Sequence, residues 1–271
     1  MRSRLFFDTN ICHHAENGTI PRGAWLRTVA AIPNRFQYCI SPLTALETVH
    51  SLTSCDPDCF VKNRARVRLL TSINERIWLD FPISFQRKAL AGLPTTNTWE
   101  IELNVGNLFA MIGWVEKKSD LERPVALPHM TGAVGFQAYL KQARKEFDNV
   151  KAIYSQRMTL AKSQSPSRRT RKMFVDDVFR ITAMTDTPER RSAISSGMDA
   201  AFMFESRLMS MIPTKYRFEA NADDLVDAQQ LYYLLDSDMY FVTNDKRLID
   251  YVRRSSQANR IITFDQLAAM V

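Results

Sequence analysis

The sequence predicts a three-layer α/β fold, in which helices cover both faces of a central parallel sheet. Two observations support this prediction. Short apolar runs alternate with helical patterns near both ends of the chain, as expected of parallel strands joined by helical crossovers. The first run, from Arg4 to Phe7, ends directly at Asp8, and a buried parallel strand places a polar side chain at the edge of its sheet in this way.

The N-terminal elements continue the alternation. After Asp8 we expect a loop and then a helix that begins at Pro21, because proline suits a first helical turn. A second strand is predicted from Phe36 to Ile40, and Ser41 is placed to cap the helix that carries Glu47. The sheet edge near Asp8 is therefore expected to receive a second acidic side chain.

The C-terminal elements follow the same alternation of helix and strand. In order, we predict a helix, a strand, a helix and a last strand over Asp224 to Leu235, Tyr240 to Thr243, Lys246 to Arg254 and Arg260 to Phe264. These elements and the N-terminal ones are expected to build one α/β domain.

The middle of the chain has a different pattern. After a strand predicted from Ile77 to Phe81, it is dominated by helical runs such as Phe136 to Arg157 and Ala193 to Met211. We therefore divide the chain into an N-terminal half of the domain (1–73), a mostly helical insertion (74–214) and a C-terminal half (215–271). Within the insertion, Ser163 to Lys172 is polar and basic, which predicts a mobile loop.

The composition is that of a globular protein with a sizeable core, with 45% hydrophobic residues in 271. The first residues do not resemble a signal peptide, and no apolar run approaches the roughly 20 residues of a membrane helix. We therefore expect a cytoplasmic protein without a membrane partner. Four cysteines in such a chain are expected to be reduced thiols.

The basic charge is concentrated in one segment. The net charge is +7, and Asn149 to Val175 contains seven basic residues and no acidic one. This distribution favours contact with the phosphates of a nucleic acid, although a solvated loop has the same composition. The candidate nucleic-acid contacts are Arg168, Arg169, Arg171 and Lys172.

Four acidic residues are expected to meet at the carboxyl edge of the sheet, where sites form in such folds. They are Asp8, Glu47, Asp227 and Asp245, with Asp224 as an alternative to Asp227 because the two share a helix face. Converging carboxylates repel one another unless cations neutralise them. Oxygen ligands of this kind favour Mg²⁺ or Mn²⁺.

These residues lie in segments that together resemble the PIN-domain nucleases. The segments are LFFDTN around Asp8, YCISPLTALE ending at Glu47, DAQQLYYLL from Asp227 and FVTNDKRL around Asp245. The resemblance covers roughly residues 1–60 and 220–271 and does not extend over the insertion. It implies a PIN-like fold with a central parallel sheet, interrupted by a mostly helical insertion.

The resemblance also implies an activity, which is metal-dependent hydrolysis of phosphodiester bonds. Carboxylate-bound Mg²⁺ or Mn²⁺ would activate the attacking water. Asp8 and Asp245 are then expected as direct ligands, and Glu47 and Asp227 would complete the site or orient the water. Three further residues are expected to support these ligands by hydrogen bonds, namely Thr9, Asn10 and Thr243.

The family favours RNA over DNA as the substrate and therefore an endoribonuclease. The resemblance also implies a role as the toxin half of a toxin-antitoxin pair, regulated by an acidic protein such as an antitoxin. The alternatives are a DNA nuclease and a catalytically silent PIN-like scaffold that binds RNA or a protein partner. A purely structural reading is also open for individual acids, because Asp8 would suit a turn and Asp245 would suit a helix N-cap.

Overall fold

The computed structural model describes residues 2–50, 57–73, 76–96, 116–117, 119–120, 124–125, 134–135, 145, 148–149, 151–152, 156, 170–211 and 223–271. Five of the strands form one parallel sheet in the order β3-β2-β1-β6-β7, and β4 and β5 form an antiparallel pair. The strands are β1 Ser3–Phe7, β2 Phe36–Ile40, β3 Ile77–Trp78, β4 Pro124–Val125, β5 Val134–Gly135, β6 Met239–Val242 and β7 Ile261–Ile262. The predicted α/β class with a parallel sheet is confirmed.

Helices connect these strands. The α-helices are α1 Thr9–Glu16, α2 Arg22–Arg35, α3 Pro42–His50, α4 Pro57–Thr71, α5 Pro82–Leu90, α6 Arg171–Thr182, α7 Pro188–Gly197, α8 Asp199–Met211, α9 Asp223–Gln230, α10 Lys246–Val252 and α11 Phe264–Met270. Two short 3-10 helices cover Leu231–Leu235 and Ala258–Arg260. Among the described residues, no helix is both long and apolar enough to cross a membrane.

The chain forms two compact units. Unit 1 contains residues 1–80, 96–149 and 264–271, and unit 2 contains residues 81–95 and 150–263. These boundaries do not correspond to the three parts expected from the sequence, since unit 2 combines residues of the expected insertion with residues of the C-terminal half. The three-part division stays a prediction.

The core of unit 1 is built on β1, β2 and β3, which pair in parallel. Leu5, Phe6 and Phe7 are buried at the end of β1, as the apolar run predicts. The Phe7 ring packs against Tyr38 of β2 and Trp25 of α2, with ring centroids 5.4 and 5.8 Å apart. Aromatic packing of this kind fixes the point at which β1 ends and Asp8 begins.

The sequence predicted some element boundaries correctly. Strands β1 and β2 are confirmed, and Ser41 caps α3 by accepting a hydrogen bond from the Leu43 amide at 3.2 Å. The predicted loop after Asp8 is wrong, because α1 begins immediately at Thr9. Its Ile11 and Cys12 are fully buried, so this short helix is stabilised by packing that its own sequence pattern does not show.

Three other boundaries are also corrected. The strand predicted from Arg260 to Phe264 is limited to β7, and Phe264 instead begins α11. The predicted loop ends earlier than expected, because Thr170 caps α6 and Arg171 is already helical. The single helix predicted from Ala193 to Met211 is two helices, α7 and α8, which are separated at Met198.

Gln257 stabilises the break between α7 and α8 in unit 2. Its buried side-chain amide donates to the carbonyl oxygens of Gly197 and, at 3.3 Å, of Leu234. Its side-chain oxygen accepts from the Ala200 amide at 2.7 Å. Gly197 lies close to Leu235, since an added Cβ would lie 2.8 Å from a Leu235 methyl group, which would have to shift to admit a larger residue. Buried backbone groups that no helix satisfies are thus satisfied by one side chain.

We predict that Gln257→Ala destabilises unit 2 by about 2–4 kcal/mol, because it leaves buried backbone groups without partners. Urea unfolding with linear extrapolation measures this change. Asn259→Ala is the matched control, since Asn259 is an exposed amide two residues away, and its expected effect is within about 0.5 kcal/mol. Equal effects of the two substitutions would contradict the role given to Gln257.

Candidate functional site

Asp8 lies at the carboxyl end of β1, where the sequence predicts it. Its side chain is 4% exposed, and the Asn10 side-chain amide donates a hydrogen bond of 2.5 Å to its Oδ2 atom. The Ile11 amide donates to the Asp8 carbonyl oxygen at 3.1 Å, as α1 begins. The carboxylate is therefore held in one orientation by a residue of the same DTN segment.

Glu47 is brought to the same region of unit 1 by α3. The Thr9 hydroxyl donates to Glu47 Oε2 at 2.5 Å. The hydroxyl of Thr44, on the same helix, donates to the carbonyl oxygen of Phe7 at 3.1 Å, which fixes α3 against the end of β1. Unit 1 thus brings Asp8, Thr9 and Glu47 together. The Asn10 side chain orients the carboxylate of Asp8, and the Thr9 side chain orients that of Glu47.

Neighbouring groups define the charge around these acids. Burial raises the pKa of the Cys12 thiol well above its usual range, and the nearby charge of Asp8 raises it further, while Arg66 lowers it. Burial and the charge of Arg66 lower the pKa of His13. An Arg66 amino group lies 2.5 Å from His13 Nδ1, and because arginine only donates, His13 is neutral and accepts there.

In unit 2, Asp245 follows β6 and caps α10. Its Oδ1 atom accepts from the amides of Arg247 at 2.7 Å and Leu248 at 3.1 Å. Among the described residues no hydrogen bond to its Oδ2 atom is found, so capping occupies one carboxylate oxygen. The buried Thr243 hydroxyl accepts from the Asp245 amide at 3.1 Å, which fixes the backbone that carries this acid.

Asp224 and Asp227 lie on α9, and the structure distinguishes them. Asp224 is 3% exposed and forms a two-point ion pair with Arg247, in which one N–O distance is 3.2 Å. Asp227 is half-buried. Burial alone would lower the pKa of Arg247, but the charge of Asp224, the hydrogen bond with it, and the charges of Asp245 and Asp227 raise it overall. Unit 2 therefore gathers three acids around one guanidinium.

The described candidates for nucleic-acid contact are engaged within unit 2. Arg171 pairs with Asp199, donates to the Ser195 carbonyl oxygen at 2.7 Å and lies 4.3 Å from the centre of the Phe202 ring. Lys172 pairs with Asp176 at 2.8 Å, one helical turn away. Arg168 and Arg169 lie outside the described residues. The contacts of Arg171 stabilise the packing of α6, and its contact with nucleic acid stays a prediction.

One acid that the sequence patterns did not predict, Asp80, lies in a position like that of Asp8. Asp80 follows β3 in unit 1 and is 1% exposed. Its signal is the same apolar run before an aspartate, since RIWLD matches the pattern of LFFD. The predicted strand extended to Phe81 and so placed Asp80 within the strand instead of at its end.

The donor chemistry of the predicted site suits Mg²⁺ or Mn²⁺, because its donors are carboxylate oxygens held by hydrogen bonds. Among the described residues, however, no three His, Cys, Asp or Glu side chains are grouped closely enough to hold a metal ion as they stand. The carboxylates are organised as a pair in unit 1 and as a group around Arg247 in unit 2. The ligand set therefore stays a prediction.

Comparisons with known proteins do not identify a family. The chain matches no protein-family model, no curated protein and no solved structure. A functional assignment therefore depends on the residues and on their arrangement.

The two described cysteine thiols, of Cys12 and Cys39, are free, as predicted, and both are buried. Burial raises the pKa of Cys39 from 9.0 to about 12. Because the unfolded thiol ionises first, the stability that this burial contributes is present below about pH 9 and is lost as the pH rises towards 12. The side chains of Cys55 and Cys59 lie outside the described part of the chain.

We predict that Cys12 and Cys39 do not react with a chromogenic disulfide reagent at about pH 8 while the protein is folded, because the thiolate is the reactive form. The measurement uses a Cys55→Ser, Cys59→Ser variant, so that only these two thiols are counted. Both thiols should react after unfolding in guanidinium chloride. Rapid reaction of the folded protein would show that they are accessible.

Proposed function

We propose that this protein is a metal-dependent nuclease with a PIN-like fold, and that it hydrolyses phosphodiester bonds in RNA. The observation that carries the proposal is the arrangement in unit 1, where Asn10 orients Asp8 and Thr9 orients Glu47. Carboxylate oxygens held in this way are the kind of ligand that Mg²⁺ and Mn²⁺ prefer. The order of DTN, Glu47, Asp227 and Asp245 along the chain supports the same proposal.

The residues of the chain have distinct roles in this proposal. In unit 1, Asp8 and Glu47 would hold Mg²⁺ or Mn²⁺, while Asp227 and Asp245 stay the candidate ligands that the sequence predicts in unit 2. When bound, such an ion lowers the pKa of water and neutralises charge on a phosphodiester. Thr9 and Asn10 orient their carboxylates, and Thr243 fixes the backbone of Asp245.

The capping role of Asp245 is compatible with a second role as a ligand. Both capping hydrogen bonds end on Oδ1, so the cap uses only half of the hydrogen-bonding capacity of the carboxylate. The two readings of Asp245, as cap and as ligand, are therefore not exclusive.

The charge of the protein supports a polyanionic substrate. In unit 1, α4 contributes Lys62, Arg64, Arg66 and Arg68 over seven residues without an acid among them. This helix packs against α1 and α3, which carry Thr9 and Glu47. Cations beside the acids would attract phosphate groups. The choice of RNA over DNA rests on the family resemblance, as does regulation by an acidic protein partner.

We predict that purified protein cleaves labelled single-stranded RNA in Mn²⁺, and that Asp8→Asn lowers the rate at least about 100-fold. Loss of a contact to a ligand already costs about 10- to 100-fold, and loss of a ligand should cost more. Asp265→Asn is the matched control, because Asp265 is an exposed acid of unit 1. A DNA strand of the same sequence is tested in parallel.

Equal inactivity of the wild type and Asp8→Asn over a broad panel of RNA and DNA would contradict the proposal. RNA binding without cleavage would then identify the protein as a scaffold. Preferential cleavage of DNA would correct the substrate and keep the reaction.

We predict a smaller loss for Thr9→Val, which keeps the shape of the side chain but removes the hydroxyl that orients Glu47. Activity or Mn²⁺ affinity should fall about 10- to 100-fold. Thr9→Ser keeps the hydroxyl and should retain most of the activity. If the valine and serine variants had the same activity, the hydrogen bond to Glu47 would have no role in catalysis.

A further inference from the structure

A contact between α1 and α4 holds the His13 ring in one orientation within unit 1. An amino group of Arg66, on α4, lies 2.5 Å from His13 Nδ1. The same guanidinium donates to Glu16 Oε2 at 3.4 Å and to Asn63 Oδ1 at 2.8 Å. Because an arginine side chain only donates hydrogen bonds, Nδ1 accepts, and the ring proton of the neutral imidazole lies on Nε2. The contact therefore gives the protein a neutral N–H donor whose orientation is fixed.

The His13 donor is more accessible than the arginine that holds it. His13 is exposed, whereas the Arg66 side chain is 19% exposed. Among the described residues, the contact with Arg66 is the one side-chain hydrogen bond of the His13 ring. The Nε2 N–H can therefore meet a ligand from solvent while Arg66 stays engaged with α1.

This donor lies close to the acids of the proposed site. His13 follows Thr9 by one helical turn on the same face of α1, which is about 6 Å along the helix axis. The Thr9 hydroxyl donates to Glu47, and Asp8 immediately precedes Thr9. A strand of nucleic acid that reached these acids would pass close to His13.

The surroundings of the donor on α4 are positively charged. This helix contains four basic residues and one acid, Asp58. Lys62 lies one turn before Arg66, on the same flank of the helix, and is exposed. Phosphate oxygens accept hydrogen bonds and attract cations. A fixed N–H donor beside an exposed lysine therefore suits the backbone of a nucleic acid.

We propose that His13 and Lys62 form a surface of unit 1 that binds the backbone phosphates of a single-stranded nucleic acid beside Asp8 and Glu47. His13 Nε2 donates to a phosphate oxygen, and Lys62 attracts the strand by its charge. Arg66 is a positioning residue, because it fixes the imidazole without contacting the strand. This inference rests on the proposed function, since it takes a nucleic acid as the partner.

The experiment measures the affinity of the purified protein for a labelled oligouridine by fluorescence anisotropy over a range of salt concentrations. EDTA is present, so that no metal-dependent cleavage occurs. His13→Phe keeps a planar ring without an N–H donor and should weaken binding about three- to tenfold at every salt concentration. His13→Gln supplies an amide N–H and should stay within about twofold of the wild type.

The lysine is tested by the salt dependence of the same binding. Lys62→Gln should reduce the slope of log affinity against log salt by about 0.7, because one phosphate contact is lost. His13→Phe should leave this slope unchanged, since the imidazole is neutral. Arg27→Gln is the matched control, because Arg27 is an exposed cation of α2 in the same unit. It should change neither the affinity nor the slope.

The positioning role of Arg66 is tested by the ¹⁵N chemical shifts of the His13 ring nitrogens, which report the tautomer of a neutral imidazole. The folded wild type should carry the ring proton on Nε2, and Arg66→Met should lose this preference. A ring proton on Nδ1 in the wild type would overturn the inference, whether or not the Arg66 variant folds.

The outcomes separate this inference from the proposed function. If the wild type cleaves RNA in Mn²⁺ but His13→Phe and Lys62→Gln bind oligouridine as the wild type does, the inference is overturned and the proposed function stands. If the expected losses of binding occur but no nucleic acid is cleaved, the surface stands and the proposed reaction fails. If Lys62→Gln weakens binding of a polyglutamate peptide and not of RNA, the surface takes an acidic protein and the inference is overturned.

Discussion

The burial of acidic side chains is the constraint that both units of this structure must satisfy, since Asp8, Asp80 and Asp224 are all buried. The protein places acids within three residues of the ends of parallel strands, with Asp8 after β1, Asp80 after β3 and Asp245 after β6. Burying a carboxylate is costly unless hydrogen bonds or cations compensate its charge. The segments that follow these strands provide such compensation for Asp8 and Asp245. The groups that contact each acid therefore indicate whether its charge is compensated within the protein.

The two units compensate their acids by different means. In unit 1, neutral donors of the DTN segment orient Asp8 and Glu47 and leave their negative charge in place. In unit 2, a guanidinium neutralises Asp224, and the amides of a helix N-terminus stabilise Asp245. Hydrogen bonds from neutral groups orient a carboxylate without compensating its charge, whereas an ion pair compensates that charge. The charge of Asp224 is thus compensated within unit 2, whereas in unit 1 the side chains of Asn10 and Thr9, which donate to Asp8 and Glu47, are neutral.

The sequence predicted those features that depend on local patterns. Strands β1 and β2 and the Ser41 cap follow from apolar runs and from capping chemistry, and the structure confirms them. Helix α1 was missed because it is short and depends on burial of Ile11 and Cys12 in contacts distant along the chain. The ion pair between Arg247 and Asp224 could not be predicted from local sequence patterns either, because the two residues are 23 positions apart. Spacing identified the candidate acids, but only tertiary contacts showed which of them is already neutralised.

The central proposal is that the carboxylates of Asp8 and Glu47 bind a divalent cation. A crystal structure of the protein with Mn²⁺ tests it most directly, because anomalous scattering locates the ion independently of any activity. We expect Mn²⁺ density in contact with the carboxylates of Asp8 and Glu47. Mn²⁺ bound away from Asp8, or no ordered Mn²⁺ at saturating concentration, would contradict it.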